Sequence, residues 1–214
     1  TRDPFAQRRA ALGLVQILAL KGLDFDLREG LRLAAEELPI ETGPETQAVC
    51  LDFIVGRLRS YLLESDEGFR YDVVDAVLAE QQTNPAGVLR GVRELSRWVS
   101  RPDWVTILPA YARCVRITRD QKERFDIHPE AFLDPAESEL YAAVVDAETA
   151  HRQPGSVDEF FAVFVPLIPL INRFFEAVLV MAEDNTVRAN RLGLLQRIAA
   201  LARGVADFSR LEGF

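Results

Sequence analysis

The chain has 214 residues, of which 49% are hydrophobic, and a formal net charge of −8 at pH 7. This length suits one large or two small domains with a substantial buried core. The acidic balance argues against a protein that holds nucleic acid through bulk positive charge, because polyanion binders are usually basic. Cys50 and Cys114 fit no disulfide or metal-binding spacing, and Cys50 is predicted to be a small buried apolar residue.

The first forty residues predict two helices. Pro4 stands at an early helical position, Gly22 suits the end of the first helix, and Asp24 or Asp26 can cap the second, which Pro39 ends. No secretory signal pattern is visible, so a cytoplasmic location is expected. The lack of an initial Met suggests a piece cut from a longer chain.

Three further helices are predicted between residues 45 and 98, because apolar residues recur there at spacings of three and four. Asp72 and Asp75 share the second of these helices. Two carboxylates at this spacing could hold Mg²⁺ or act as an acid–base pair, but no third ligand accompanies them. The helix dipole also favours acids near a helix start, and this ordinary explanation is preferred.

Cations recur at intervals of three in residues 111–124, which are predicted to be helical. They are Arg113, Arg116, Arg119 and Lys122. This spacing drifts only slowly around a helix axis, so the four cations should share one flank. Because the screening length near physiological salt is about 8 Å, local charge decides what the flank binds, and it favours phosphate. The alternative is a solvated face with weak ion pairs, such as one between Arg119 and Glu123.

A loop and an acidic helix are predicted next. The loop, residues 125–134, contains Phe125 and His128, which either stack on single-stranded RNA bases or are a core Phe and a surface His. The helix begins at Pro135 and carries carboxylates that should point away from RNA. These are Glu137, Glu139, Asp146 and Glu148.

The last sixty residues predict a kinked apolar helix and then a helical hairpin. Pro166 and Pro169 interrupt the apolar run 160–171, which indicates a buried, kinked segment. Residues 171–201 have the apolar spacing of two helices, with Asp184 or Asn185 as the cap of the second. The two helices are expected to fold back along one shared apolar seam.

Polar residues near the start of that last helix are candidates for function. Arg188 and Asn190 are predicted either to contact RNA or to belong to a structural polar network. For Arg191 the structural role is favoured, because the apolar seam passes close to it.

Three separated stretches resemble the beta subunit of bacterial-type glycyl-tRNA synthetase. They are DPFAQRRAALGLVQIL at 3–18, FIVGRLRSYLL at 53–63 with YDVVDAVLA at 71–79, and FFEAVLVMAEDNTVRANRLGLLQRIA at 174–199 with ADFSRL at 206–211. Residues 113–118 also resemble a pattern of this family, KRVxNI. Here Cys114 replaces a basic residue and Ile117 replaces Asn.

The resemblance implies an all-α fold, a bundle of antiparallel helices of the anticodon-binding-domain type found at the C-terminus of arginyl-tRNA synthetase. Residues 41–214 would form this domain, and residues 1–40 would be the tail of a preceding helical domain related to the HD phosphohydrolases. The implied partners are tRNA(Gly) and a separate alpha subunit, which would hold the glycine and ATP site with Mg²⁺. No cofactor is expected in this chain, and neither a membrane nor DNA is expected as a partner.

No self-sufficient catalytic site is predicted. The sequence has no nucleophile elbow, no phosphate-binding glycine loop and no metal-ligand cluster. The chain is expected to be a non-catalytic part of a glycine–tRNA ligase that recognises the anticodon arm. Two alternatives stay open, a helical scaffold that holds synthetase subunits together and a helical small-ligand module.

Overall fold

The computed structural model describes residues 5–40 and 42–214, and these ranges contain helices and no strand. The predicted all-α class is therefore confirmed. The α-helices are, in chain order, α1 Gln7–Lys21, α2 Leu27–Glu36, α3 Pro44–Leu63, α4 Tyr71–Gln81, α5 Pro85–Val99, α6 Trp104–Thr118, α7 Pro135–Thr149, α8 Val157–Phe164, α9 Ile168–Ala177 and α10 Asn185–Ala200, with short 3-10 turns at Pro129–Ala131, Val165–Leu167 and Phe208–Arg210.

Several helix ends follow the predicted local signals. Gly22 closes α1 at a φ of 65°, in the left-handed region that glycine adopts without strain. The carboxylate of Asp26 accepts a hydrogen bond from the backbone N–H of Arg28 at 2.8 Å and so caps α2. Asp184 caps α10, where it accepts from the N–H of Thr186 at 2.8 Å. Local capping chemistry therefore sets these boundaries.

The cation-bearing helix is placed differently from the prediction. Helix α6 begins at Trp104 and ends at Thr118, so the predicted continuation to residue 124 is wrong. The hydroxyl of Thr118 donates to the carbonyl of Cys114 at 2.8 Å, in the last turn of the helix. Arg119 is the first residue beyond the helix and Lys122 lies in the loop that follows. The four cations consequently do not share one helical flank.

The helices pack around one contiguous apolar core. Helix α1 packs on α3 and α5, and α4 packs on α5, while α10 packs on α6 and α7 packs on α9. The bundle thus has two halves, α1–α5 and α6–α10. Helix α8 contacts α5, and the turn Phe208–Arg210 contacts both α4 and α6, so these two elements join the halves. The predicted division between residues 40 and 41 stays a prediction.

An aromatic cluster fills the junction between the two halves. The ring of Tyr111 on α6 lies 5.3 Å from that of Phe208, and Phe160 on α8 lies 5.0 Å from Phe208. The hydroxyl of Tyr111 donates to the carbonyl of Ala199 at 2.9 Å, and burial raises the pKa of this phenol. The Tyr111 hydroxyl thus joins α6 to the end of α10, which matters because both elements form the candidate site.

The predicted hairpin is only partly correct. Two helices, α9 and α10, do flank residues 178–184. However, α9 packs mainly on α7 and α6, and α10 packs mainly on α6 and α7, so the two helices share partners rather than a seam of their own. Leu179, which lies within the predicted apolar spacing of residues 171–201, is beyond the end of α9 and is 71% exposed.

The apolar segment Val157–Ala177 is kinked as predicted, with Pro166 in the 3-10 turn between α8 and α9. By length and composition alone this segment could cross a membrane. Several of its large side chains, including Phe160 and Phe174, are fully buried in the core of the bundle. The prediction for Cys50 is wrong, because Cys50 is exposed, whereas Cys114 is buried and its burial raises the pKa of the thiol to about 12.

Candidate nucleic-acid interface

The cations of α6 rest on aromatic rings. The guanidinium of Arg113 lies 3.8 Å from the ring centroid of Phe175 on α9, and that of Arg116 lies 5.4 Å from the ring centroid of Phe214. Cation–π contacts of this kind hold a guanidinium in place without neutralising its charge. Arg113 and Arg116 are both exposed, and they are oriented toward different neighbours.

Arg119 and Lys122 line a groove beside the end of α10, which we call the cationic groove. This cavity of about 270 Å³ is lined by Val115, Thr118, Arg119, Gln121, Lys122, Glu123, Arg124, Gln196, Ala199, Ala200 and Arg203. The structure thus adds Arg124 and Arg203 to the predicted cations. Sequence reasoning missed Arg203 because it lies some eighty positions beyond the others and meets them only in the fold.

The cationic groove has few internal counter-charges. Glu123 is the carboxylate that lines it. Arg119 lies 3.9 Å from Asp120, but both side chains are largely exposed, so this pair is weak. Within residues 5–40 and 42–214, the side chains of Lys122, Arg124 and Arg203 form no ion pair. The groove therefore keeps a positive local field on an acidic protein.

A second cavity, which we call the loop pocket, adjoins the cationic groove. It has a volume of about 370 Å³ and is lined by Arg124, Phe125, Asp126, Ile127, Glu148, Gly193, Gln196, Arg197 and Ala200. Arg124, Gln196 and Ala200 line both cavities, so the two lie side by side.

Residues of α10 at a spacing of three hold the loop after α6. The side chain of Gln196 accepts from the N–H of Phe125 at 3.1 Å and donates to the carbonyl of Glu123 at 2.8 Å. At Gly193 a Cβ atom would lie 2.7 Å from the carbonyl oxygen of Phe125, so only glycine permits this approach. The sequence signal for this contact is the pattern Asn-x-x-Gly-x-x-Gln on one side of α10.

Asn190 is the third of these residues and is buried. Its amide accepts from the N–H of His128 at 2.7 Å and donates to the carbonyl of His128 at 2.9 Å. Arg188 donates to the carbonyl of Ala182 and to the side chain of Asn185. Two roles were predicted for Asn190 and Arg188, RNA contact and a structural polar network, and the geometry favours the structural network. RNA contact by either residue stays a prediction.

Arg191 forms the structural network predicted for it. Its Nε lies 2.7 Å from Glu137 of α7, and its Nη1 donates to the carbonyl of Leu179 at 2.9 Å. Glu137 also accepts from the N–H groups of Leu133 and Asp134, both at 2.8 Å. A buried ion pair needs such additional hydrogen bonds to offset the loss of hydration.

The predicted acidic face of α7 is not a free acidic surface. Glu137 is buried against Arg191, Glu139 lies 2.5 Å from Arg173, and Glu148 pairs with Arg197. Moreover, Glu148 lines the loop pocket, so this side chain does not point away from the candidate interface. The prediction that this face points away from RNA was made from the sequence of α7 alone and could not include arginines from distant helices.

The two aromatic loop residues differ in exposure. Phe125 is half-buried against α10, whereas the His128 side chain is 61% exposed and lies 3.4 Å from Glu130.

Among the residues that the structure describes, no group of three or more His, Cys, Asp and Glu side chains could hold a metal ion. A larger concavity of about 630 Å³ lies near the α2–α3 connection, but its Arg32 is already paired with Glu36.

Asp72 and Asp75 have separate arginine partners. Asp75 binds Arg59 through two hydrogen bonds, at 2.5 and 2.9 Å. Asp72 is buried and accepts from Arg70 and from the backbone N–H of Glu212. Burial alone would raise the pKa of Asp72, but these hydrogen bonds outweigh it and the pKa lies below its usual value. Neither carboxylate is thus available as half of an acid–base pair.

Two departures from the family pattern on α6 lie on its inner side. Cys114 is fully buried and its thiol donates to the carbonyl of Ala110, and Ile117 packs partly buried against the core. Neither residue is positioned to read a base. In this chain those positions contribute packing instead.

The bundle, with a positive groove between α6 and α10, is an anticodon-binding type of helical domain. Residues 107–206 match the family described as DALR anticodon binding domain, and residues 1–79 match the family described as glycyl-tRNA synthetase beta subunit. The chain belongs to the glycyl-tRNA synthetase beta-subunit family.

Curated relatives match along nearly the whole chain. The glycine–tRNA ligase beta subunit of Rhodospirillum centenum is 35% identical over 224 residues, covering 100% of this chain and 31% of that subunit. The beta subunit of Moorella thermoacetica is 33% identical over 223 residues, with 99% and 31% covered. The chloroplastic/mitochondrial glycine–tRNA ligase 2 of Arabidopsis thaliana is 33% identical over 216 residues, with 100% and 20% covered. The chain thus spans a third or less of these relatives.

Proposed function

We propose that this chain binds the anticodon arm of glycine tRNA, with the cationic groove as the phosphate-binding surface. The observation that carries the proposal is the groove itself, where Arg119, Lys122, Arg124 and Arg203 converge without an equal number of carboxylates. Arginine pairs with phosphate through two parallel hydrogen bonds, and both arginine and lysine release counterions from RNA when they bind. Membership of the beta-subunit family supports glycine tRNA as the RNA.

The acidic net charge does not oppose this proposal. Many of the carboxylates are already paired with arginines elsewhere, as Glu67 is with Arg93 and Asp103 is with Arg101. At physiological salt, charges more than about 8 Å from a phosphate are strongly screened. The field that a phosphate meets in the groove is therefore set by the side chains that line it.

The test is the salt dependence of tRNA binding. Replacing Lys122 and Arg203 together with Ala should weaken binding of a glycine tRNA transcript and reduce the slope of log K against log salt by about 0.7 to 0.9 for each phosphate that is no longer bound. Lys21→Ala with Arg28→Ala is the matched control, because this pair lies on α1 and α2, which pack mainly on α3 and α5. The slope should not change for this control. An equal change of slope in the Lys122/Arg203 variant and in the control would reject the cationic groove as the phosphate-binding surface.

The predicted contact by Arg113 and Arg116 is tested in the same assay. Both side chains are exposed and keep their charge, so they can extend the phosphate surface along α6. Arg113→Gln and Arg116→Gln should each reduce the slope by less than the double replacement of Lys122 and Arg203 does. No change in either variant would confine the contact to the groove.

The same proposal includes a separate alpha subunit, which would bind ATP, Mg²⁺ and glycine, and a cytoplasmic location.

A scaffold role is the second candidate function, and exposed apolar residues on α1 favour it. Ile17 is 59% exposed and Leu20 is 63% exposed. Binding of glycine tRNA compared with a transcript whose anticodon is changed separates the two roles, since a scaffold would not discriminate between them.

A further inference from the structure

The loop pocket differs in charge from the cationic groove beside it. Arg197 and Glu148 both line the pocket, and they bind each other. Asp126 also lines it, yet within the described ranges its carboxylate has neither a hydrogen bond nor an ion pair. The pocket therefore offers a free acceptor immediately beside a surface suited to phosphate.

The position of Asp126 is fixed from both sides. Gln196 holds the N–H of the preceding residue, Phe125, and Asn190 holds both backbone groups of His128 two residues further on. A loop held by side-chain amides of a helix has less freedom to lose when a ligand binds. The carboxylate is thus presented by a preorganised backbone, although its side chain is exposed.

Apolar side chains complete the pocket. Phe125 and Ile127 are both half-buried and line it on either side of Asp126 in sequence. Bases of single-stranded RNA are splayed out and bound against such side chains while their edges are read by hydrogen bonds. Phe125 and Ile127 can cover the face of a base while the unpaired carboxylate of Asp126 meets its edge, whereas the same carboxylate would repel a phosphate.

We infer that the loop pocket binds one unstacked base of the RNA whose phosphates lie in the cationic groove, and that Asp126 selects a base with an exocyclic amino group, such as cytosine, over uracil. This inference rests on the proposed function. An ionised carboxylate only accepts hydrogen bonds, and it is a matching partner for N4 of cytosine. Uracil has a carbonyl oxygen at that position, which would face the carboxylate with a second acceptor.

The test uses two RNA stem-loops with identical stems, one with an all-cytosine loop and one with an all-uracil loop. The unmodified chain should prefer the cytosine loop by roughly tenfold. Asp126→Asn should largely abolish this preference, because an amide can accept from cytosine and donate to uracil. Thermal unfolding of the variant confirms that it folds.

Asp120→Asn is the matched control, since it removes the same charge from an exposed carboxylate on the turn after α6. It should strengthen binding of both loops in equal proportion and leave the preference unchanged. If Asp126→Asn does the same, or if the unmodified chain prefers uracil, the base assignment is overturned. If binding of both loops is independent of Lys122 and Arg203, the proposed function itself fails, which is a separate outcome.

Discussion

Arginines at the α7–α10 junction and arginines along the cationic groove have opposite surroundings. The side chain of Arg191 is 9% exposed and is bound by Glu137 and by a backbone carbonyl. Arg124 and Arg203 lie at the surface with no ion pair in the part of the chain that the structure describes. The set of partners, and not the residue type, therefore decides whether an arginine holds the fold together or is available to a ligand.

Breaking the buried pair should have the largest effect. Glu137→Ala leaves Arg191 buried without a counter-charge and removes the acceptor of two N–H groups. The free energy of unfolding should fall by about 3–5 kcal/mol in a denaturant titration. The control is Glu139→Ala, which removes an exposed pair with Arg173 and should cost at most about 1 kcal/mol. Equal losses would contradict the comparison.

Changing the contact between the loop and α10 should have an intermediate effect. Gly193→Ala places a Cβ atom 2.7 Å from the carbonyl oxygen of Phe125, so the loop must move away from the helix. A loss of about 1–3 kcal/mol is expected, with faster hydrogen exchange at the N–H groups of Phe125 and His128. Gly56→Ala in α3 meets nothing within 4 Å and should instead be stabilising by up to about 1 kcal/mol. Unchanged exchange in Gly193→Ala would show that the loop is not held by α10.

The smallest effect is expected on the pH dependence of stability, when Asp72 is replaced. Its carboxylate is buried, as Glu137 is, but its partner Arg70 is half-exposed. Its pKa is lowered in the folded state, so the folded state favours the ionised form. This contribution to stability is fully present above the unfolded pKa of about 3.9 and is lost as the pH falls through the lower folded pKa. Melting temperatures measured between about pH 6 and pH 2 should therefore fall less steeply for Asp72→Asn than for the unmodified chain. Identical profiles would mean that Asp72 makes no acid-sensitive contribution.

Sequence reasoning predicted what depends on local chemistry. The caps at Asp26 and Asp184 and the stop at Gly22 follow from hydrogen bonding within a few residues. The end of α6 was missed because residues 119–124 contain neither Gly nor Pro and keep a helical spacing of charges. What ends the helix is tertiary, since the following loop is bound by Gln196 from α10.

The candidate site was predicted in part for the same reason. Arg119 and Lys122 were found by their spacing, and the structure places both in the cationic groove. Arg203 and the pairing of Glu148 with Arg197 depend on how α10 lies against α6 and α7, which no local pattern encodes. The polar pattern on α10 was present in the sequence but was obscured by the stronger apolar stripe on the same helix.

The contact between Asp72 and the backbone N–H of Glu212 also bears on synthesis of the protein. Contacts between residues so far apart in sequence form slowly, because the entropy cost of closing a long loop comes before the stability that the contact adds. During translation, α4 emerges with a carboxylate whose final partner has not yet been made, and the aromatic cluster lacks Phe208 until nearly the same moment. The bundle can therefore be completed only after residue 212 has left the ribosome, and a nascent chain stalled before that point would expose apolar surface to chaperones.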